Sequence, residues 1–237
     1  MMKVLQRALE SIMKFCIKAI LSSVFFSIAI VSSANEDRTV TSVKQHDGSE
    51  WSVEQDADKY SLLYANINKK VYRNTALIEP DSNESDLFLS SHSDGTVTVA
   101  IAYPRDTLAY EFSGGTVPVL RSACREIRIA SSDEMEAVAL MTLCDINIQK
   151  NSYSLPDVKA DALLQVDNLR LQAPVSALIS SDKAFLLDRA GNSKPRKPYL
   201  IKGDKVVIEN YKHPLVKINF TSRGKLASAW INVADIL

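Results

Sequence analysis

The side chains that could carry out nucleophilic or acid–base chemistry are widely separated in this 237-residue sequence. Its three histidines are His46, His92 and His213. Only His92 stands in a crowd of reactive or polar neighbours: Ser90, Ser91, Ser93 and Asp94. A serine near a histidine and a carboxylate can form a nucleophile with its base, but the same residues are typical of a polar turn. We take the turn as the interpretation.

The sequence lacks the short motifs that indicate a catalytic or metal site. It has no CxxC, HExxH or GxSxG motif and no glycine-rich phosphate loop. Such a site would have to be assembled entirely by folding. We therefore expect no catalytic residue, no metal and no cofactor, and a protein that acts by binding. A cell-envelope hydrolase with an unrecognised catalytic domain is the alternative that stays open.

The order of charged, apolar and small residues in the segment 1–34 is that of a secretory signal peptide. Basic residues lead into an uncharged apolar stretch, residues 19–31, and small residues end at Ala34. This stretch has 13 residues, whereas a membrane-spanning helix needs about 20. We expect cleavage near Ala34, no permanent membrane anchor, and a periplasmic or secreted bacterial protein. Translation could start at Met1 or at Met13.

Charge and cysteine content restrict the function of the remaining chain. Without residues 1–34 it has 24 basic and 27 acidic residues and no run of Lys or Arg. Such a mildly acidic chain is not typical of a nucleic-acid-binding protein. Two cysteines remain, Cys124 and Cys144. Because disulfides persist outside the cytoplasm, we expect this pair to be bonded.

Two secondary structures suit the segment 123–148. Ser131 followed by Glu134 matches a capping box, which would begin a helix over residues 133–143. Residues 138–148 instead alternate with period two, as in a strand. We favour strand–turn–strand and keep the helix as the alternative.

A hairpin centred on Glu134 would bring the two cysteines together. Cys124 and Cys144 each lie ten residues from that centre and are therefore directly opposed. Opposed residues in an antiparallel pair have Cβ atoms about 4.5–5.5 Å apart, close to the separation of about 3.5–4.5 Å in a disulfide. The hairpin thus predicts the disulfide without further assumption.

The mature chain is predicted to be mainly β and to divide near Ser180. Residues 35–60 are polar and are interpreted as a loose N-terminal segment of the first domain, residues 35–180. Beyond them, β-branched and aromatic runs alternate with short turns and predict an antiparallel β domain, a meander or a sandwich. The clearest of these runs are residues 96–103, 107–112 and 117–120.

The spacing of apolar segments and polar loops in the second domain, residues 181–237, is typical of a small β-barrel. One long polar loop, residues 188–197, follows the first of five short apolar segments. These segments are 184–187, 198–201, 205–208, 215–220 and 226–231.

Three runs in this second domain resemble the bacterial SH3-like domains of exported proteins. They are YLIKGDKVVI at 199–208, VKINF at 216–220 and GKLASAWINVADIL at 224–237. The resemblance covers about a quarter of the chain. It implies an SH3-like β-barrel and no activity. Related modules often bind peptidoglycan peptides or support an adjoining enzyme domain, and others only mediate contacts.

Four aromatic residues of the second domain form the candidate binding surface: Phe185, Tyr199, Tyr211 and Trp230. Aromatic side chains in so small a domain also suit its core. Because Trp230 offers the largest apolar area on the strand 226–231, we expect it to be the main core anchor of an independently folding unit.

Taken together, these features predict an exported, non-catalytic binding protein that is associated with the cell wall. Its partner would be a peptidoglycan peptide or another protein. An immunity-type inhibitor of a periplasmic toxin is the alternative, since such inhibitors are also small, exported and without catalytic motifs.

Overall fold

The computed structural model describes residues 38–56, 59–78, 86–133, 137–148 and 150–237. The predicted signal peptide, residues 1–34, lies outside them. None of the helices among the described residues is long and apolar enough to cross a membrane. The described chain is mainly β, as predicted from its sequence.

The first sheet is a four-stranded antiparallel meander in the order β1-β2-β3-β4. Its strands are β1 (Arg38–Lys44), β2 (Glu50–Asp56), β3 (Lys59–Ala65) and β4 (Val71–Asn74). The prediction that residues 35–60 form a loose segment is therefore wrong for residues 38–56, because β1 and β2 pair over most of their length. Trp51 and Val53 of β2 are fully buried and attach this polar segment to the core.

The second sheet contains seven strands, six of which follow the order β11-β9-β8-β7-β6-β5, while β10 pairs with β8. These strands are β5 (Asp86–Ser91), β6 (Thr96–Ala102), β7 (Asp106–Ser113), β8 (Val119–Ala130), β9 (Val138–Asp145), β10 (Tyr153–Ser154) and β11 (Leu169–Leu171). Two 3₁₀ helices, Leu155–Asp157 and Ala160–Ala162, lie between β10 and β11. The strands that were predicted as a meander pair with their sequence neighbours, as expected.

The predicted hairpin is present as β8 and β9. Cys124 lies directly opposite Cys144, and their sulfur atoms form a disulfide with a separation of 2.11 Å. The alternative helix over residues 133–143 is wrong, since β9 begins at Val138.

The first core lies between the two sheets and is centred on aromatic side chains. The Trp51 ring lies 4.7 Å from that of Tyr64 and 5.4 Å from that of Phe112, measured between centroids. Buried aliphatic residues of β6 surround them, including Val97 and Val99. Such tilted aromatic pairs contribute free energy beyond their buried area.

The C-terminal module contains all five predicted strands and one more. A four-stranded sheet has the order β12-β15-β16-β17, and β13 pairs with β14. The strands are β12 (Val175–Leu178), β13 (Ala184–Phe185), β14 (Tyr199–Leu200), β15 (Lys205–Lys212), β16 (Leu215–Ser222) and β17 (Lys225–Asn232), followed by a 3₁₀ helix, Val233–Asp235.

These strands do not close into a barrel within residues 150–237, which the structure describes throughout. The β13–β14 pair meets β17 at one bridge, between Leu187 and Trp230. A single bridge does not close the two sheets into a barrel. The expected closed barrel is therefore wrong, and the module consists of two sheets that are joined at this bridge.

A second core joins this module to the β8–β9 hairpin. Its buried side chains include Ile129, Met141 and Leu143 of the hairpin and Ile208, Ile218 and Ile231 of the module. Strand β12, which begins before Ser180, completes the module's sheet. The described residues belong to one compact unit, and the division into two domains near Ser180 stays a prediction.

Trp230 is not the core anchor that the sequence suggested. The face of β17 that carries Ala229 and Ile231 is buried, while Trp230 lies half-buried on the opposite face. An isolated module of this size would need a large side chain in its core. Because Met141 and Leu143 of β9 also fill the shared core, Ala229 and Ile231 suffice on the buried face of β17.

We predict that the Cys124→Ser/Cys144→Ser double variant loses about 3 kcal/mol of unfolding free energy, because the disulfide closes a loop in the unfolded chain. The two cysteines are 20 residues apart. Urea denaturation measures the difference. Reductant should lower the wild type to the level of the variant and leave the variant unchanged, and a wild type that is insensitive to reductant would contradict the prediction.

We also predict that Ile231→Ala destabilises the protein more than Trp230→Ala. Ile231 is fully buried, and truncating a buried isoleucine costs about 2–5 kcal/mol. Trp230 lies on the outer face and keeps part of its side chain in water, so its truncation leaves a depression open to solvent instead of an enclosed cavity. Urea denaturation of the full chain compares the two variants, and the reverse order would restore Trp230 as the core anchor.

Candidate functional site

Three of the four sequence-predicted aromatic residues share one face of the C-terminal module. Phe185 lies opposite Tyr199, and Leu187 lies opposite Trp230. Opposed residues of an antiparallel pair point to the same face, as do residues two apart on one strand. Phe185, Leu187, Tyr199 and Trp230 therefore form one surface, which we name the aromatic face.

The aromatic face leaves apolar rings open to solvent. Phe185 is 44% exposed and Tyr199 is 48% exposed. Their ring centroids are 6.0 Å apart in an edge-on arrangement, a favourable geometry for aromatic pairs. Trp230 and Leu187 are half-buried beside them. The face thus has large apolar surfaces open to solvent.

Cationic side chains lie beside these rings. Lys183 places its Nζ 5.4 Å from the Tyr199 ring centroid, within cation–π distance. Lys217, opposite Trp230, forms an ion pair with Glu209 at 2.9 Å. The long loop 188–197, which leads to Tyr199, contains four more basic residues: Arg189, Lys194, Arg196 and Lys197. Rings flanked by cations favour a ligand that carries both apolar and anionic groups.

Local hydrogen bonds hold the long loop in place. The Asp188 carboxylate accepts hydrogen bonds from the backbone N–H groups of Asn192 at 2.9 Å and Ala190 at 2.8 Å. The bond from the Asn192 backbone is the main reason why the pKa of Asp188 lies below its usual value. The loop therefore begins as a closed turn.

The end of this loop has a strained backbone next to Tyr199. Arg196 and Lys197 have positive φ angles of 66° and 45°, which non-glycine residues seldom adopt. A hydrogen bond from Lys197 N–H to the Lys194 carbonyl at 3.0 Å stabilises the turn. Strain of this kind is concentrated at functional sites, which makes the basic turn part of the candidate site.

Tyr211, the fourth predicted surface residue, lies on the other side of the sheet. It is buried, and its hydroxyl lies 3.2 Å from Nδ1 of His213. A β-bulge between Ile208 and Asn210 shifts the register of β15. The bulge turns Tyr211 to the inner face, where simple alternation from Ile208 would have placed it outside.

The residues around His92 form a turn, as interpreted from the sequence. His92 Nε2 lies 2.8 Å from the Thr98 hydroxyl. Asp94 accepts hydrogen bonds from the N–H and hydroxyl of Thr96, which hold its pKa below the usual value. These contacts engage threonines of β6 and none of the neighbouring serines. Among the residues that the structure describes, no group of three or more His, Cys, Asp or Glu side chains could hold a metal.

Comparison of the chain with protein-family models, curated proteins and solved structures gives no match. The resemblance to SH3-like domains of exported proteins therefore stays a prediction.

Sequence reasoning found three aromatic members of the aromatic face but missed its other components. Leu187 was assigned to a strand without a role, because the Leu187–Trp230 bridge depends on a contact between distant segments. The clustered basic residues from Lys194 to Lys197 were a visible signal in the sequence. Their position beside Tyr199 would have linked them to the site.

Burial raises the pKa of Tyr211 above the usual 10.0 and is the largest effect. Arg125 lowers this pKa and Asp167 raises it, both by smaller amounts. The folded protein therefore keeps this phenolic proton to higher pH than the unfolded chain does. Stability falls as the pH rises through the pKa that the tyrosine has in the unfolded chain. We predict that Tyr211→Phe loses less stability than the wild type between about pH 9 and pH 11.

Urea midpoints across that interval measure the difference. An equal loss of stability in Tyr211→Phe and the wild type would show that burial does not protect this phenol.

Proposed function

We propose that this is an exported, non-catalytic binding protein whose aromatic face binds peptidoglycan peptide at the cell wall. The observation that carries the proposal is the exposed pair of Phe185 and Tyr199 beside Trp230. Aromatic side chains dominate the binding energy of many interfaces because they bury large areas with little loss of conformational freedom.

Charge supports an anionic peptide as the ligand. Cell-wall peptides carry carboxylates next to small apolar side chains. The aromatic face has Lys183 over the Tyr199 ring, and Arg196 and Lys197 precede Tyr199 by three and two residues in the chain. Guanidinium groups bind carboxylates through paired, charge-assisted hydrogen bonds. A ligand with both groups can therefore contact the rings and the basic turn together.

The disulfide supports the proposed compartment. A bond between Cys124 and Cys144 persists in an oxidising environment and is rare in the cytosol. We propose that residues 1–34 direct the chain to the periplasm and are removed near Ala34. The mature protein would then meet the cell wall directly.

We predict that the purified protein sediments with cell-wall sacculi and that Tyr199→Ala and Phe185→Ala each weaken this binding about tenfold, as expected for interface aromatics. Ile67→Ala is the matched control, because Ile67 is an exposed apolar residue in the turn after β3. It should bind like the wild type.

A pulldown from periplasmic extract separates the alternatives. Failure to sediment, together with one stoichiometric protein partner, would favour the immunity-type inhibitor over the wall-binding protein. Sedimentation that is equal in the wild type and in both aromatic variants would remove the aromatic face from the binding site. Release of soluble peptide fragments from the sacculi would favour the hydrolase.

A further inference from the structure

A cleft of about 560 Å³ opens between the second sheet and the C-terminal module. Its apolar lining comes from both parts: Ile127, Leu143, Val166, Leu169 and Val233. Cavities of roughly 300–1,000 Å³ with a mostly apolar lining are typical of small-molecule sites. The cleft is separate from the aromatic face, and the inference below does not depend on the proposed function.

Arg125 occupies an unusual position in this cleft. Alternation along β8 places it on the same face as Ala123 and Ile129. Ala123 belongs to the first core and Ile129 to the second. An arginine on this face, between two apolar cores, is 46% exposed because the cleft opens beside it.

Two more arginines, Arg105 and Arg128, line the same cleft. Arg105 lies in the turn between β6 and β7, is exposed, and makes no side-chain ion pair or hydrogen bond to the described residues. Arg128 donates from Nη1 to the carbonyl oxygens of Tyr103 at 3.3 Å and Pro104 at 3.2 Å. This fixes its guanidinium at the rim.

The arginines keep hydrogen-bond donors for a ligand. A guanidinium has five N–H groups. Arg125 uses Nε to donate to Asp106 at 2.5 Å, which leaves its two Nη groups. Asp106 is the carboxylate side chain that lines the cleft, against three arginines. The wall therefore has an excess of positive charge.

We infer that this cleft binds a small molecule with one carboxylate and an apolar body. The carboxylate accepts hydrogen bonds from Arg105 and Arg125, since paired N–H donors match the geometry of a carboxylate. The apolar body lies on Leu143, Leu169 and Val233. Tyr211 and His213, whose polar atoms are 3.2 Å apart, also line the cleft.

Calorimetric titration of the purified protein with decanoate tests the inference. Decanoate should bind with one-to-one stoichiometry. Acetate lacks the apolar body and decyltrimethylammonium lacks the anion, so both should bind at least about tenfold more weakly. Equal binding of decyltrimethylammonium would mean that the arginines do not select the ligand, and the inference would fail.

Substitutions in the polar wall separate recognition from folding. Arg105→Gln should weaken decanoate binding about fivefold to tenfold. Asp106→Asn should strengthen it, because the carboxylate that competes for Arg125 becomes neutral, and a folding defect cannot produce this gain. Arg121→Gln is the control, since Arg121 is an exposed arginine of β8 that does not line the cleft. Equal affinities in Arg105→Gln and Arg121→Gln would overturn the inference.

Filling the cleft provides an independent measurement. Val166→Trp places a large ring in the space of the apolar body and should abolish binding. Val138→Trp, at an exposed position of β9 that does not line the cleft, should leave it unchanged. Acetyl-leucyl-leucine serves as the peptide probe. This peptide also carries one carboxylate and an apolar body, so its binding without that of decanoate would assign the same chemistry to a peptide terminus. Binding of neither probe would overturn the inference.

Discussion

The pairing register of the β8–β9 hairpin is the constraint on which both cores depend. Ala123 and Ile129 share one face of β8, and they contribute to different cores. A one-residue slip in a strand moves its buried side chains to the opposite face. The Cys124–Cys144 disulfide excludes such a slip. It lies on the other face of β8 and therefore fixes the register without occupying core volume.

This central element was predictable from the sequence because three signals agree there. Alternation over residues 138–148, the even cysteine count and the equal distance of Cys124 and Cys144 from Glu134 all favour one hairpin. The mainly β class and the five C-terminal strands follow from alternation and turn residues in the same way. Local patterns succeed where strands pair with their neighbours in the chain.

The features that sequence reasoning missed depend on long-range packing. Strands β1 and β2 look polar, and only the environment of Trp51 shows that they are anchored. Trp230 was assigned to the core because β9 was not expected to share it. The bulge in β15 reverses the orientation of Tyr211. No residue type in that strand predicts the bulge. The arginine-lined cleft exists only because distant strands meet there.

On β13 and its partner β14 the larger side chains lie on the outer surface, which is the reverse of what stability alone favours. Ala184 and Ala229 face the core, while Phe185 and Tyr199 stand about half exposed on the outer surface. Burying an aromatic side chain stabilises a fold by about 1.5–3 kcal/mol. Because Phe185 and Tyr199 are only about half buried, each contributes only part of this free energy. Clustered exposed aromatic residues are typical of interaction surfaces. A ligand that covers both rings recovers part of the forgone free energy, which is why the aromatic face supports a binding function better than the polar turn at His92.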